Sequence, residues 1–132
     1  MALLFASCSE AQQQQQSTDS SNQVAATQPA SPVNINQDQA LPMLQDTNVV
    51  VIDVRTPGEV QSGYIEGADL FINLNGGSFE AEIAKLDKSK SYLVYCRSGG
   101  RSTTAANIMT QNGFTQVYNL NGGISSWSGP KH

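Results

Sequence analysis

Two short runs, Asn48-Val49-Val50-Val51-Ile52-Asp53-Val54 and Ser91-Tyr92-Leu93-Val94-Tyr95-Cys96, are apolar almost without a break. A strand with one wet face alternates between apolar and polar residues. A run without that alternation suits a strand buried on both faces, as in a parallel sheet covered by helices. Weaker strand signals lie at Val33 to Ile35, Leu70 to Asn73 and Gln116 to Leu120. Helical stretches fall between them, near Gln37 to Gln45, Pro57 to Ser62, Ser78 to Leu86, Ser102 to Gln111 and Ile124 to Trp127. Strands alternating with helices predict a three-layer α/β/α sandwich on a parallel sheet. The stretch 33–130 is long enough to hold one such core without disulfides.

Local chemistry supports several of these boundaries. Thr56-Pro57-Gly58-Glu59 reads as a capping box with proline at the first helical position. Ser78 precedes Glu80 and Glu82, with Lys85 and Lys88 toward the far end, as the helix dipole favours. Gly113 is expected as a left-handed stop, and Pro42 is expected to bend or shorten the first helix. Ala105 and Ala106 allow their helix to approach the sheet closely, and Trp127 is expected in the core.

The first 32 residues differ in kind. A glutamine run, Gln12 to Gln16, leads into a Ser/Thr/Gln/Asn/Ala-rich stretch that ends near Pro29 and Pro32. Such composition buries too little apolar surface to offset the entropy of ordering it, so residues 1–32 are expected to form a leader and a flexible tether. Within it, Leu3-Leu4-Phe5-Ala6-Ser7-Cys8 resembles the end of a bacterial lipoprotein signal, with Cys8 as the lipidated residue. Only seven residues precede Cys8 and none is basic, so the segment is shorter than a working signal. On this pattern the protein is expected in the bacterial cell envelope, periplasmic or tethered to a membrane through Cys8; the alternative is a free thiol on a cytoplasmic protein. Residues 131–132 are expected to be a tail.

Charge and residue counts narrow the function. A formal charge of -4 gives no support to nucleic-acid binding. The one histidine, His132, stands at the last position, which leaves no Cys-His or Ser-His-Asp apparatus and no metal-ligand cluster. With one cysteine in the leader and one in the globular part, neither a disulfide framework nor a thioredoxin-like dithiol is expected. No cofactor is implied, and the chain is expected to be a monomer. The three arginines, Arg55, Arg97 and Arg101, all follow predicted strands, so they would gather at one end of the sheet as an anion site.

Cys96 begins the string Cys96-Arg97-Ser98-Gly99-Gly100-Arg101-Ser102, between a strand end and a helix start. Such a loop aims several N–H groups at one spot, and with the helix dipole and two arginines it favours a sulfur anion. Glycines at 99 and 100 give the backbone freedom such a nest needs. Asp53, at a buried strand end, requires a partner, and Arg55 is the nearest candidate. If the two apolar strands are neighbours, these groups share one crevice beyond their carboxyl ends.

Four segments together resemble the rhodanese family of sulfurtransferases: Val51 to Glu59, Gly63 to Ala68, Tyr95 to Ser102, and Val117 to Ile124 with Trp127. They stand in that family's order over nearly all of 33–130. The resemblance implies a five-stranded parallel sheet in the order 3-2-4-5-1, with the Asp53 and Cys96 strands adjacent. It implies that Cys96 is the nucleophile and carries sulfur as a persulfide. Cys96 to Arg101 has the six-residue length of sulfur-transferring members, one residue shorter than related phosphatases. Many members have histidine where this chain has Tyr64.

On that resemblance, Cys96 takes the outer sulfur of a small anionic, thiosulfate-like donor and passes it to cyanide, a thiol or a protein. Arg97 and Arg101 would bind the donor's sulfonate; Arg97, facing solvent, is the more exposed to substrate, while Arg101 has the stronger claim to a role in the site, with bracing of the loop as its other role. Ser98 and Ser102 would hydrogen-bond the persulfide, or Ser102 would cap its helix. Gly99 and Gly100 would shape the nest, and Asp53 with Arg55 would hold the loop in place. The alternative is a persulfide carrier or redox module acting on a protein partner.

Overall fold

The structure is a computed structural model and describes residues 30–132. Cys8, the glutamine run and most of the leader lie outside the described residues. Five strands form one sheet: β1 (Val33–Ile35), β2 (Val49–Asp53), β3 (Leu70–Phe71), β4 (Ser91–Tyr95) and β5 (Gln116–Leu120). Their spatial order is β1-β5-β4-β2-β3 and every pairing is parallel. Read from the other edge, this is the order 3-2-4-5-1 that the resemblance implied. The helices are α1 (Gln37–Gln45), α2 (Pro57–Gln61), α3 (Phe79–Ile83) and α4 (Gly100–Gln111), with 3₁₀ turns at Leu74–Gly76 and Gly123–Ser126.

The unbroken apolar runs are explained by burial on both faces. On one face Ile52, Val54, Tyr92, Val94 and Val117 pack with Ala105, Ala106 and Met109 of α4 and with Phe79 and Ile83 of α3. On the other, Val49, Val51, Leu93 and Leu120 pack with Ala40 of α1 and with Trp127. At about 1.5–3 kcal/mol for each large apolar side chain buried, these two layers supply the main drive to fold. Ala105 and Ala106 are fully buried, as close approach of α4 to the sheet requires.

The differences from expectation lie at element ends. Only Leu70–Phe71 of the third strand pair as a ladder, because β3 is a sheet edge with β2 as its one neighbour. The third helix keeps five residues: Lys85 and Leu86 donate to carbonyls three residues back, so the last turn tightens out of α geometry. Ser78 makes no side-chain cap there. Pro42 does not end α1, which runs three residues further to Gln45 behind a complete capping box at Asn36 and Gln39. The final helix is a 3₁₀ turn, Gly123–Ser126. Residues 131 and 132, expected as a tail, pair with the domain: Lys131 bridges Ile65 antiparallel, and the His132 amide donates to the Tyr64 carbonyl at 2.7 Å.

Candidate active site

From β2 the chain runs on to the edge strand β3, and from β4 it runs to β5 on the opposite side. The sheet therefore reverses its winding between β2 and β4, and a crevice opens beyond their carboxyl ends. Asp53 is in register with Tyr95, so Asp53, Arg55 and Cys96 meet there, as the sequence predicts.

Beneath the crevice lies a buried ionic cluster. Arg55 Nη2 donates to Asp53 Oδ2 at 2.7 Å and to the Gly63 carbonyl at 2.7 Å, while Arg55 Nε donates to the same carboxylate at 3.0 and 3.1 Å. Arg55 is 6% exposed and Asp53 fully buried. The guanidinium lies 5.9 Å from the Tyr95 ring, whose hydroxyl accepts from the Ile65 amide at 3.0 Å. Burial, reinforced by the Asp53 carboxylate, pushes the Tyr95 phenol well above its ordinary range. This cluster ties β2, β4 and the 63–65 segment together.

Above it, the Cys96 loop is built so that its carbonyls point away from the sulfur. Ile124 N donates to the Cys96 carbonyl at 3.0 Å, and Ser125 gives both its amide (2.9 Å) and its hydroxyl (2.8 Å) to the Arg97 carbonyl. With those carbonyls held from behind, the loop amides face inward: the Gly99 amide donates to Cys96 Sγ at 3.1 Å. Gly99 has φ +114 and so fits a position that L side chains rarely adopt. Gly123 permits the backing turn, since a Cβ there would lie 2.4 Å from the Cys96 carbonyl oxygen.

Burial alone would push the Cys96 thiol up. The polar groups that surround the sulfur, the Ser102 hydroxyl and amide and the Gly99 and Ser98 amides, outweigh it, and the thiol is held below its ordinary value. Of these the Gly99 amide is in hydrogen-bond contact, while the Ser102 hydroxyl donates to the Gly99 carbonyl at 3.2 Å. Cys96 is 1% exposed, with the loop folded around its sulfur. Beside the loop a hollow of about 470 Å³ is lined by Arg55, Glu59, Gly63, Arg97, Ser125 and Lys131 among others.

The expected residues take different places. Arg97 is exposed on the hollow's wall. Arg101, expected to bind the donor, gives both guanidinium ends to Glu59 at 2.8 and 2.9 Å and braces α4 against α2. That pairing, with help from Thr56, holds the Glu59 carboxyl down at about 2. Gly100 needs no unusual backbone angle and is simply the first residue of α4. Ser102 is not the cap, because the helix begins two residues before it; it is buried in the first turn against the sulfur. Tyr64 packs between Phe71 and His132, at ring distances of 4.9 and 5.2 Å.

Glu59, Gly123, Ser125 and Lys131 were not expected in the site. Glu59 was visible only as a helix-capping residue and Gly123 only as part of the segment Val117 to Ile124. Among the described residues no group of three or more His, Cys, Asp or Glu could hold a metal, and no helix is long and apolar enough to cross a membrane.

Comparison with known proteins agrees with this geometry. A family model described as a rhodanese-like domain matches residues 36–130. A sulfurtransferase from Allochromatium vinosum is 34% identical over 95 residues, covering 71% of this chain and 86% of that protein. The thiosulfate sulfurtransferase GlpE of Shewanella oneidensis is 31% identical over 94 residues, covering 71% and 90%. The crystal structure of a rhodanese-related protein from Thermoplasma volcanium superposes with a TM-score of 0.66 at 27% identity, covering 76% of this chain and 97% of that one.

Proposed function

The chain belongs to the rhodanese-like domain family, and from that premise we propose that it is a sulfurtransferase of thiosulfate type working through a persulfide on Cys96. Its likeness to named sulfurtransferases supports the transferase class. The observation that carries the mechanism is Cys96 Sγ enclosed by its loop, accepting from the Gly99 amide at 3.1 Å, with its thiol held below the ordinary value.

The chemistry proceeds in two displacements. The Cys96 thiolate attacks the outer sulfur of thiosulfate. A new S–S bond forms, the bond between outer sulfur and sulfonate breaks, and sulfite leaves with the electron pair. The persulfide anion takes the thiolate's place among the Gly99, Ser98 and Ser102 donors, which stabilise negative charge there. An acceptor such as cyanide or a thiolate then attacks the terminal sulfur, and the electrons of the breaking bond return to Cys96. Arg97, exposed at the hollow, is the loop residue suited to the sulfonate; Arg101 acts through Glu59 as a brace. Asp53 and Arg55 support the loop from below. We place the domain in the bacterial envelope, carried by Cys8, a proposal that radiolabelled palmitate incorporation into wild type but not Cys8→Ser would test.

Intact-mass measurement after thiosulfate treatment tests the persulfide. The expected result is a gain of one sulfur, reversed by cyanide and absent in Cys96→Ser. No gain, or a gain confined to Cys8, would overturn the reading.

A further inference from the structure

The hollow beside Cys96 holds more positive charge than the motif alone supplies, and its second uncommitted cation comes from the far end of the domain. Of the charged groups around it, Arg55 is neutralised by Asp53 at 2.7 Å and Arg101 by Glu59 at 2.8 Å. Arg97 and Lys131 also line the hollow, and neither takes part in an ion pair among the described residues. Once the two pairs cancel, the hollow has a surplus of two positive charges from side chains on different segments.

Lys131 is placed there by a strap. Glu66 N donates to the Pro130 carbonyl at 3.1 Å, Lys131 bridges Ile65, and Tyr64 and His132 exchange backbone bonds of 3.3 and 2.7 Å. Trp127 Nε1 holds the same Pro130 carbonyl at 3.1 Å, and the Tyr64 ring stacks on His132 at 5.2 Å. Gly63, whose carbonyl binds Arg55, would meet the His132 backbone oxygen at 3.3 Å if it carried a Cβ. The strap thus presents Lys131 on a fixed backbone, with its side chain in no ion pair among the described residues.

We infer that Lys131 is a donor-specificity residue: with Arg97 it forms a two-cation recognition site that favours a dianionic sulfur donor over neutral or singly charged ones. This rests on the sulfurtransferase reading above. A divalent anion feels each cation twice as strongly as a monovalent one at the same distance, and both cations are exposed enough to be screened by salt. In a two-displacement enzyme the donor's kcat/KM reports the first half-reaction alone, and the acceptor's reports the second. Loss of the Lys131 charge should therefore lower the thiosulfate constant by clearly more than the constant for cyanide, a monoanion.

The test measures both constants for wild type, Lys131→Gln, Lys131→Glu and Lys131→Arg at low and high salt. The expected fall in kcat/KM for thiosulfate is about three- to tenfold for the glutamine variant, from the loss of one screened charge facing two. The glutamate variant should fall further and the arginine variant should recover, with the differences closing at high salt. An unchanged thiosulfate constant in Lys131→Glu, with wild type turning over normally, would overturn the inference alone. Equal losses for thiosulfate and cyanide would also overturn it, since they would indicate a distorted domain. Failure of wild type to take sulfur from thiosulfate would bring down the sulfurtransferase reading and this inference with it.

Discussion

The two ends of the sheet make an instructive pair. The larger hollow, about 570 Å³, lies at the amino ends of β2 and β4, while the one beside Cys96 is about 470 Å³. The larger has charges but no nucleophile, and its carboxylates are committed locally. Asp46 accepts from the Asn48 amide at 2.8 Å, Asp69 from the Val51 amide at 2.9 Å, and Asp87 from Ser89 at 2.6 and 2.9 Å. At the carboxyl end a sulfur sits beside a backbone donor, and two cations have no ion-pair partner among the described residues. Uncommitted charge beside a reactive atom marks a site; volume does not.

Substitutions at the two ends should therefore separate cleanly. Cys96→Ser should reduce sulfur transfer by about a thousandfold or more, because Cys96 is the one thiol among the described residues. A steady-state assay with thiosulfate and cyanide checks this. Asp53→Asn should destabilise the fold by about 3 kcal/mol, since it leaves the buried Arg55 guanidinium without its counter-charge. Urea unfolding would show it as a lower midpoint with unchanged slope.

Glu59→Gln should cost about 1 kcal/mol, because the Arg101 pair is partly exposed and screened. It should also change the acid response. The Glu59 carboxyl is held at about 2, below its ordinary 4.5. A depressed folded-state value means the stabilisation is complete above pH 4.5 and is lost as pH falls toward about 2. The gap between wild type and variant should narrow across that window in unfolding experiments. At the other end, Lys90→Ala should leave turnover unaltered and shift stability by no more than about 0.5 kcal/mol. A marked loss of activity there would break the contrast between the two ends.

Most of the fold was legible because the strands are buried on both faces, so Val49 to Asp53 and Tyr92 to Cys96 show no polar interruption short of the site. Cys96 and its loop were legible because the string itself joins a cysteine to glycines at a strand end. The charge assignment was less so. That Arg101 is spent on a carboxylate 42 residues away depends on how α2 and α4 meet, which no local pattern encodes. Lys131 carries no periodic signal, and only the pairing with Ile65 gives it a place. The opposing effects on Cys96 were equally hidden. Burial and hydrogen bonding act against each other on its ionisation, and only the closed loop decides between them.

The central claim is that the polar groups around this sulfur outweigh burial and make it easier to ionise than an ordinary thiol. The rate of Cys96 alkylation by iodoacetamide as a function of pH, in a Cys8→Ser background, tests it directly. The account predicts a midpoint below the roughly 8.5 of free cysteine, moving upward in Ser102→Ala. A midpoint at or above that value, or a sulfur that iodoacetamide does not reach in the folded protein, would contradict it.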